Sequence, residues 1–134
     1  MGMESLKVNL STFIAHLNNG HAISGGSDMH IYMVNLAHVA MKITTELNNS
    51  YHEPDEIRRL FAKLTGKPVD ESFSMFPPFY TDCGKNMTVG KNVFINSGCR
   101  FQDQGGIYIG DNALIGHNVV LATLNHGCAP EYRG

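Results

Sequence analysis

Hydrophobic positions change their spacing near residue 77, and the two spacings predict two kinds of structure. In the first part, Phe13, Ile14 and Leu17 fit one face of a short helix, with Ser11 placed to cap it and Gly20 just beyond its end. His21 to Ser27, which contains Gly25-Gly26, reads as a loop. From about Asp28 to Asn48 the apolar residues Met29, Met33, Leu36, Ala40, Ile43 and Leu47 recur at alternating steps of four and three, which predicts one long amphipathic helix. Pro54 suits the first turn of a third helix, whose apolar face is Ile57, Leu60, Phe61 and Leu64. Gly66 and Pro68 stop it. These stripes read as core packing rather than as cofactor sites.

From residue 77 onward the period is six. The chain divides into PPFYTD, CGKNMT, VGKNVF, INSGCR and FQDQGG, then the extra pair Ile107-Tyr108, then IGDNAL, IGHNVV and LATLNH. The first position of the repeat holds Val89, Ile95, Phe101, Ile109, Ile115 and Leu121, and the next is often small or turn-forming, as at Gly84, Gly90, Gly110 and Gly116. The fifth holds Met87, Val93, Cys99, Ala113 and Val119. Neither a helix nor an alternating strand has this period. It predicts a solenoid in which three short strands make one triangular coil, with large first-position side chains stacked inside. The insertion at Gln104 to Tyr108 is expected to bulge from one corner. The expected organisation is therefore a helical N-terminal cap over residues 1–76 and β-helix coils over 77–134.

Composition fits this division. Only 16% of the 134 residues are charged, against about 25% in a typical soluble domain. The 14 glycines and 12 asparagines suit many tight turns, because both tolerate positive φ. A net charge of −2 argues against a basic nucleic-acid binder. No P-loop or dinucleotide fingerprint is present. No apolar stretch is long enough to span a membrane, and the N-terminus carries no secretory h-region. Leu6 stands where a myristoylation signal needs Ser or Thr. The odd cysteine count, Cys83, Cys99 and Cys128, points to a reducing cytoplasm rather than a disulfide framework.

The run from Phe76-Pro77-Pro78-Phe79-Tyr80 through Cys83-Gly84-Lys85-Asn86 and Ile109-Gly110-Asp111-Asn112 to Leu124-Asn125-His126 resembles the maltose and galactoside O-acetyltransferases, which are hexapeptide-repeat acyltransferases. The segment from Pro54 to Gly66 resembles the helical cap of the same family, and the likeness covers roughly residues 28–134. It implies a left-handed parallel β-helix that is incomplete at the C-terminus, since the family continues into further coils. It also implies acetyl-CoA as acetyl donor, a sugar or similar hydroxyl acceptor, and a homotrimer with sites between subunits. The family's catalytic histidine falls on His126, and its acceptor-binding positions fall on Asp82, Asn96 and Asp103. The residues that would bind acetyl-CoA are not assigned, and no metal is implied.

The chemistry agrees with these residue types. A sugar hydroxyl is a poor nucleophile until an imidazole takes its proton, which is typically worth about 10²–10⁴-fold. Carboxylates accept from hydroxyls, and an amide both accepts and donates. Each residue also has a plainer reading. His126 could be a solvated loop histidine, Asn96 the holder of a left-handed turn, and Asp82 and Asp103 solvated corners. Asp82 stands where some galactoside enzymes have serine. Phe79 and Tyr80 either line an acceptor pocket or pack the cap against the coil.

Two alternatives accompany this reading. Ile115-Gly116-His117 and His126-Gly127-Cys128 also resemble γ-class carbonic anhydrases, which bind zinc through three histidines. His117 and His126 are nine residues apart where that family uses five, and the other five histidines lie in the helical part. The second alternative follows from length. The repeats stop at His126, short of three coils, so the chain is expected to be a fragment, an enzyme completed by oligomerisation, or a non-catalytic scaffold. Cys83 and Cys99 read as packed and inert, and a Cys128–His126 nucleophile pair rests on nearness in sequence alone.

Overall fold

The computed structural model describes residues 8–124. Three helices come first: α1 (Leu10–Asn18), α2 (Asp28–Asn49) and α3 (Pro54–Thr65). The first is capped two residues earlier than expected, by Asn9 rather than Ser11. Asn9 accepts from the Thr12 N–H at 2.9 Å, and its own N–H donates to Thr12 Oγ1 at 3.1 Å, a reciprocal pair that Ser11 cannot form. Ser27 caps α2 by accepting from the His30 N–H at 3.2 Å. α3 starts on Pro54 and ends with Gly66 in the left-handed region, φ 70°. The expected stripe on α2 is buried at Leu36, Ala40, Ile43 and Leu47. At its N-terminal end Tyr32 takes the fully buried place and Met29 and Met33 pack beside it.

Eight short strands follow: β1 (Ser74–Met75), β2 (Phe79–Thr81), β3 (Met87–Val89), β4 (Phe94–Ile95), β5 (Cys99–Gln102), β6 (Ile107–Ile109), β7 (Leu114–Ile115) and β8 (Val120–Ala122). They form three parallel sheets, ordered β1-β4-β7, β2-β5-β8 and β3-β6. Each sheet is one wall of a winding coil, with two full turns and two sides of a third. The first and fifth repeat positions both face inward, among them Met75, Met87, Val93, Ile95, Phe101 and Ile109.

The register corrects the parsing in sixes. Met75 pairs with Ile95 and Ile95 with Ile115, Thr81 with Phe101 and Phe101 with Leu121, so one coil is 20 residues long. The two residues beyond three hexads recur in each full coil at one corner, between β2 and β3 and again between β5 and β6. Thr81, not Cys83, therefore holds the inward first position. Strand pairing also begins at Ser74, ahead of the expected division at residue 76.

The helices lie against the first coil through two elements. Phe61 of α3 stacks on Phe73 with ring centres 4.4 Å apart and meets Phe79 at 5.9 Å. Asn48 of α2 donates to the Phe79 carbonyl and accepts from its N–H, both at 2.9 Å. Its amide thus satisfies the free edge of β2 as a neighbouring strand would.

Candidate functional site

The elongated corner is a loop of residues 82–86 stacked on a loop of residues 103–106. Asp103 holds them together. It is fully buried, and its Oδ1 accepts from the N–H groups of Cys83 at 3.0 Å and Gly84 at 2.9 Å. The same oxygen accepts from Thr81 Oγ1 at 2.9 Å, a hydroxyl shared with the Phe101 carbonyl, while Oδ2 accepts from the Asn86 N–H at 3.1 Å. A carboxylate with three backbone donors and a hydroxyl is well compensated for burial. Gly84 is required here: its φ is +80°, and a Cβ would stand 2.7 Å from the Leu64 carbonyl oxygen.

Two lysines tie this corner to α3. Lys85 donates to the carbonyls of Lys63 at 3.1 Å and Leu64 at 2.6 Å, capping the negative end of the helix. Lys67 donates to the Lys85 and Met87 carbonyls at 3.2 and 2.7 Å. Burial lowers both ammonium groups, and the Asp103 charge works against that. Burial, and then the Asp103 charge, push the Cys83 thiol up to about 11, so it is a protonated core group rather than a nucleophile. From the other side α1 reaches in: Asn86 Nδ2 donates to Asn18 Oδ1 at 2.9 Å and to the Gln104 carbonyl at 3.0 Å.

The candidate acceptor residues fall in two places. Asp82 and Asp103 share the elongated corner, where burial and then Asp103 raise the Asp82 carboxyl while Arg100 opposes them. Asn96 sits in the turn before β5, so it and Asp103 lie at opposite ends of that strand. Left-handed turns belong instead to Asn92, Asn112 and Asn118 among the asparagines described, not to Asn96. Asn96 Oδ1 accepts from the Ser97 N–H at 2.8 Å, and its Nδ2 donates to no group among the described residues. Phe79 is buried in the core, whereas Tyr80 faces outward beneath Arg100.

His126 and Cys128 lie outside the described residues. The chain leading to them follows the same corner: the Thr123 N–H donates to the Gln102 carbonyl at 3.2 Å and the Leu124 N–H to Gln102 Oε1 at 3.0 Å. His117 is exposed in the turn between β7 and β8, and no cluster of three metal-ligating side chains occurs among the described residues. Sequence reasoning missed Gln104. It is 6% exposed, and its Oε1 accepts nothing among the described residues. No local pattern marks it; only the stacking of the two loops buries it.

Twenty-residue coils of hexapeptide rungs, with a polar corner in register on successive turns, make this a hexapeptide-repeat β-helix protein. The chain is 33% identical over 88 residues to a galactoside O-acetyltransferase of Escherichia coli K12, and 40% identical over 57 residues to nodulation protein L of Rhizobium leguminosarum. Those matches cover 66% and 42% of this chain, and 43% and 30% of the relatives. A maltose O-acetyltransferase structure from Clostridium difficile 630 superposes with TM-score 0.79 and 26% identity, covering 93% of this chain and 65% of that one. A hexapeptide-repeat acetyltransferase from Vibrio cholerae gives 0.66 and 30%, covering 73% and 55%. The chain is thus similar to the hexapeptide-repeat acetyltransferases, and it spans about two fifths of the length of the curated galactoside enzymes it matches. No family model matches the chain. No helix among the described residues is long and apolar enough to cross a membrane.

Proposed function

We propose that the chain acts within an acetyl-CoA-dependent O-acetyltransferase that moves an acetyl group to a hydroxyl of a sugar-like acceptor. The observation that carries this reading is the corner itself. Its stacked loops bring Asp82 and the buried Asp103 to one place, in a chain that is 33% identical over 88 residues to a galactoside O-acetyltransferase. His126, two residues past Leu124, is the general base of the proposal. The acceptor hydroxyl oxygen attacks the thioester carbonyl as its proton passes to the imidazole. The tetrahedral intermediate then expels the CoA thiolate, which takes that proton and leaves as the thiol. Asp82 orients the acceptor by accepting from its hydroxyls, and Asp103 fixes the loop that carries Asp82.

Asn96 belongs to the opposite end of sheet β2-β5-β8, so one chain does not bring it to the corner that holds Asp82 and Asp103. A homotrimer in which one subunit brings its Asn96 end to another's elongated corner would complete the set. The helices serve in this reading as the seal on the first coil of a left-handed solenoid. CoA release from acetyl-CoA with a panel of sugars tests the activity. His126→Ala is expected to lower kcat by about 10²–10⁴-fold. A near wild-type kcat in this variant removes the assignment of His126.

A further inference from the structure

The outer face of sheet β2-β5-β8 carries a charged residue that the acceptor reading has not used. Tyr80 pairs with Arg100 on the next rung, and Arg100 with Val120 below it. All three are exposed. The Arg100 guanidinium carbon lies over the Tyr80 ring, 4.4 Å from its centre, a contact that uses none of its N–H donors. Among the described residues the ion pairs are those of Arg58 and Arg59, and the Arg100 side chain donates to no acceptor. Among the described residues nothing occupies its five donors, which form a planar fork that matches a carboxylate or a phosphate. Asp82, the partly exposed first residue of the corner loop, follows Tyr80 by two positions just past the end of the strand. Asp82 still belongs to the ladder, its N–H donating to the Phe101 carbonyl at 3.3 Å.

We propose that Arg100, held over the Tyr80 ring on the rung next to Asp82, selects an acceptor that carries an oxyanion close to its sugar hydroxyls. Asp82 accepts from hydroxyls and Arg100 takes the oxyanion, so the preferred acceptor is an acidic sugar rather than a neutral one. The inference rests on the acetyltransferase reading above for its reaction but not for its binding geometry.

The test uses the full chain and three hexoses that differ only at C6: galactose, galacturonate and galactose 6-phosphate. Binding is followed by NMR shifts of backbone amides, and turnover by CoA release. The expected result is tighter binding of one or both acidic sugars, with the largest shifts around Tyr80, Asp82 and Arg100. The carboxylate and phosphate arms identify which oxyanion is preferred. Arg100→Ala should lower the acidic-to-neutral ratio of affinity, and of kcat/KM, by about tenfold or more. Arg100→Lys should recover only part of it, because an ammonium lacks the fork and the stacking. Raising salt should weaken the acidic sugars in the wild-type protein and leave galactose unaffected, a measurement that needs no variant. Equal binding of all three sugars, or an unchanged ratio in Arg100→Ala, overturns the inference. Absence of turnover with every acceptor, alongside Arg100-dependent binding, would overturn the acetyltransferase reading and leave the oxyanion site standing.

Discussion

Asp103 offers the sharpest test of how the corner is held. Replacing it with alanine removes the acceptor for three backbone N–H groups, those of Cys83, Gly84 and Asn86, and for the shared Thr81 hydroxyl. Each buried N–H left without a partner costs about 1–3 kcal/mol. Lys85 and Asn86 are only half-buried, so water recovers part of this, and the expected net loss is about 3–5 kcal/mol. Asp103→Asn is a finer probe. Its oxygen can keep the place of Oδ1, while its NH2 then points at the Asn86 N–H and turns an attraction into a donor–donor clash. That predicts a loss of about 1–3 kcal/mol, near the cost of one orphaned group. Urea unfolding measures both variants, and amide hydrogen exchange locates the effect. Exchange should rise at Cys83, Gly84 and Asn86, and within the asparagine variant most at Asn86. If Asp103→Asn matches the wild-type stability within about 0.5 kcal/mol and exchange at these amides is unchanged, the carboxylate does not hold the corner, and the reasoning fails.

Three further outcomes follow. Asn48→Ala leaves the Phe79 N–H and carbonyl without partners, and urea unfolding should show a loss of about 2–4 kcal/mol. Gly84→Ala forces an L residue to φ +80° with its Cβ 2.7 Å from the Leu64 oxygen, so its melting temperature should fall well below that of an alanine placed at the exposed, unobstructed Gly110. Asp82 has a folded-state carboxyl raised above its ordinary range, so its favourable contribution is present in acid and is lost as pH rises through the raised value. Asp82→Asn cannot ionise, so its stability relative to wild type should improve between about pH 3 and about pH 7, as followed by thermal melts across that range.

The sequence made the helices legible because their signals are local. Pro54, Gly66 and the stripe from Leu36 to Leu47 each act within one or two turns. The coil was legible from the recurrence of Val89, Ile95, Phe101 and Ile109, which needs no knowledge of neighbours in space. Its length was not. The extra residues of the first coil carry no glycine pair like Gly105-Gly106, and the Phe76-Pro77-Pro78 turn replaces the Asn96-Ser97-Gly98 of the next coil. The start of the solenoid at Ser74 was therefore hidden, and so was the phase that puts Thr81 inside. The candidate site was legible as residue types and illegible as geometry. Nothing in the pattern distinguishes Asp82, which is partly open, from Asp103, whose oxygens are fully engaged, because that difference arises only when one coil is laid on the next. Arg100 meets Tyr80 for the same reason, 20 positions away along the chain and one rung away in space.

The two residues added to each coil at a single corner have a consequence for how such a protein can change. They lie outside the hexapeptide frame, so they shape that corner without shifting which side chains stack inside, although Gln104 is buried and a Cβ on Gly105 would stand 2.7 Å from the Thr123 carbonyl oxygen, which ties a change there to the next rung. The walls fix the pitch and the corner carries the variation, much as an interchangeable bit sits in a constant chuck. Selection can therefore retune the recognition chemistry of this edge by changing neighbouring rungs together, while the scaffold that aligns the rungs stays the same.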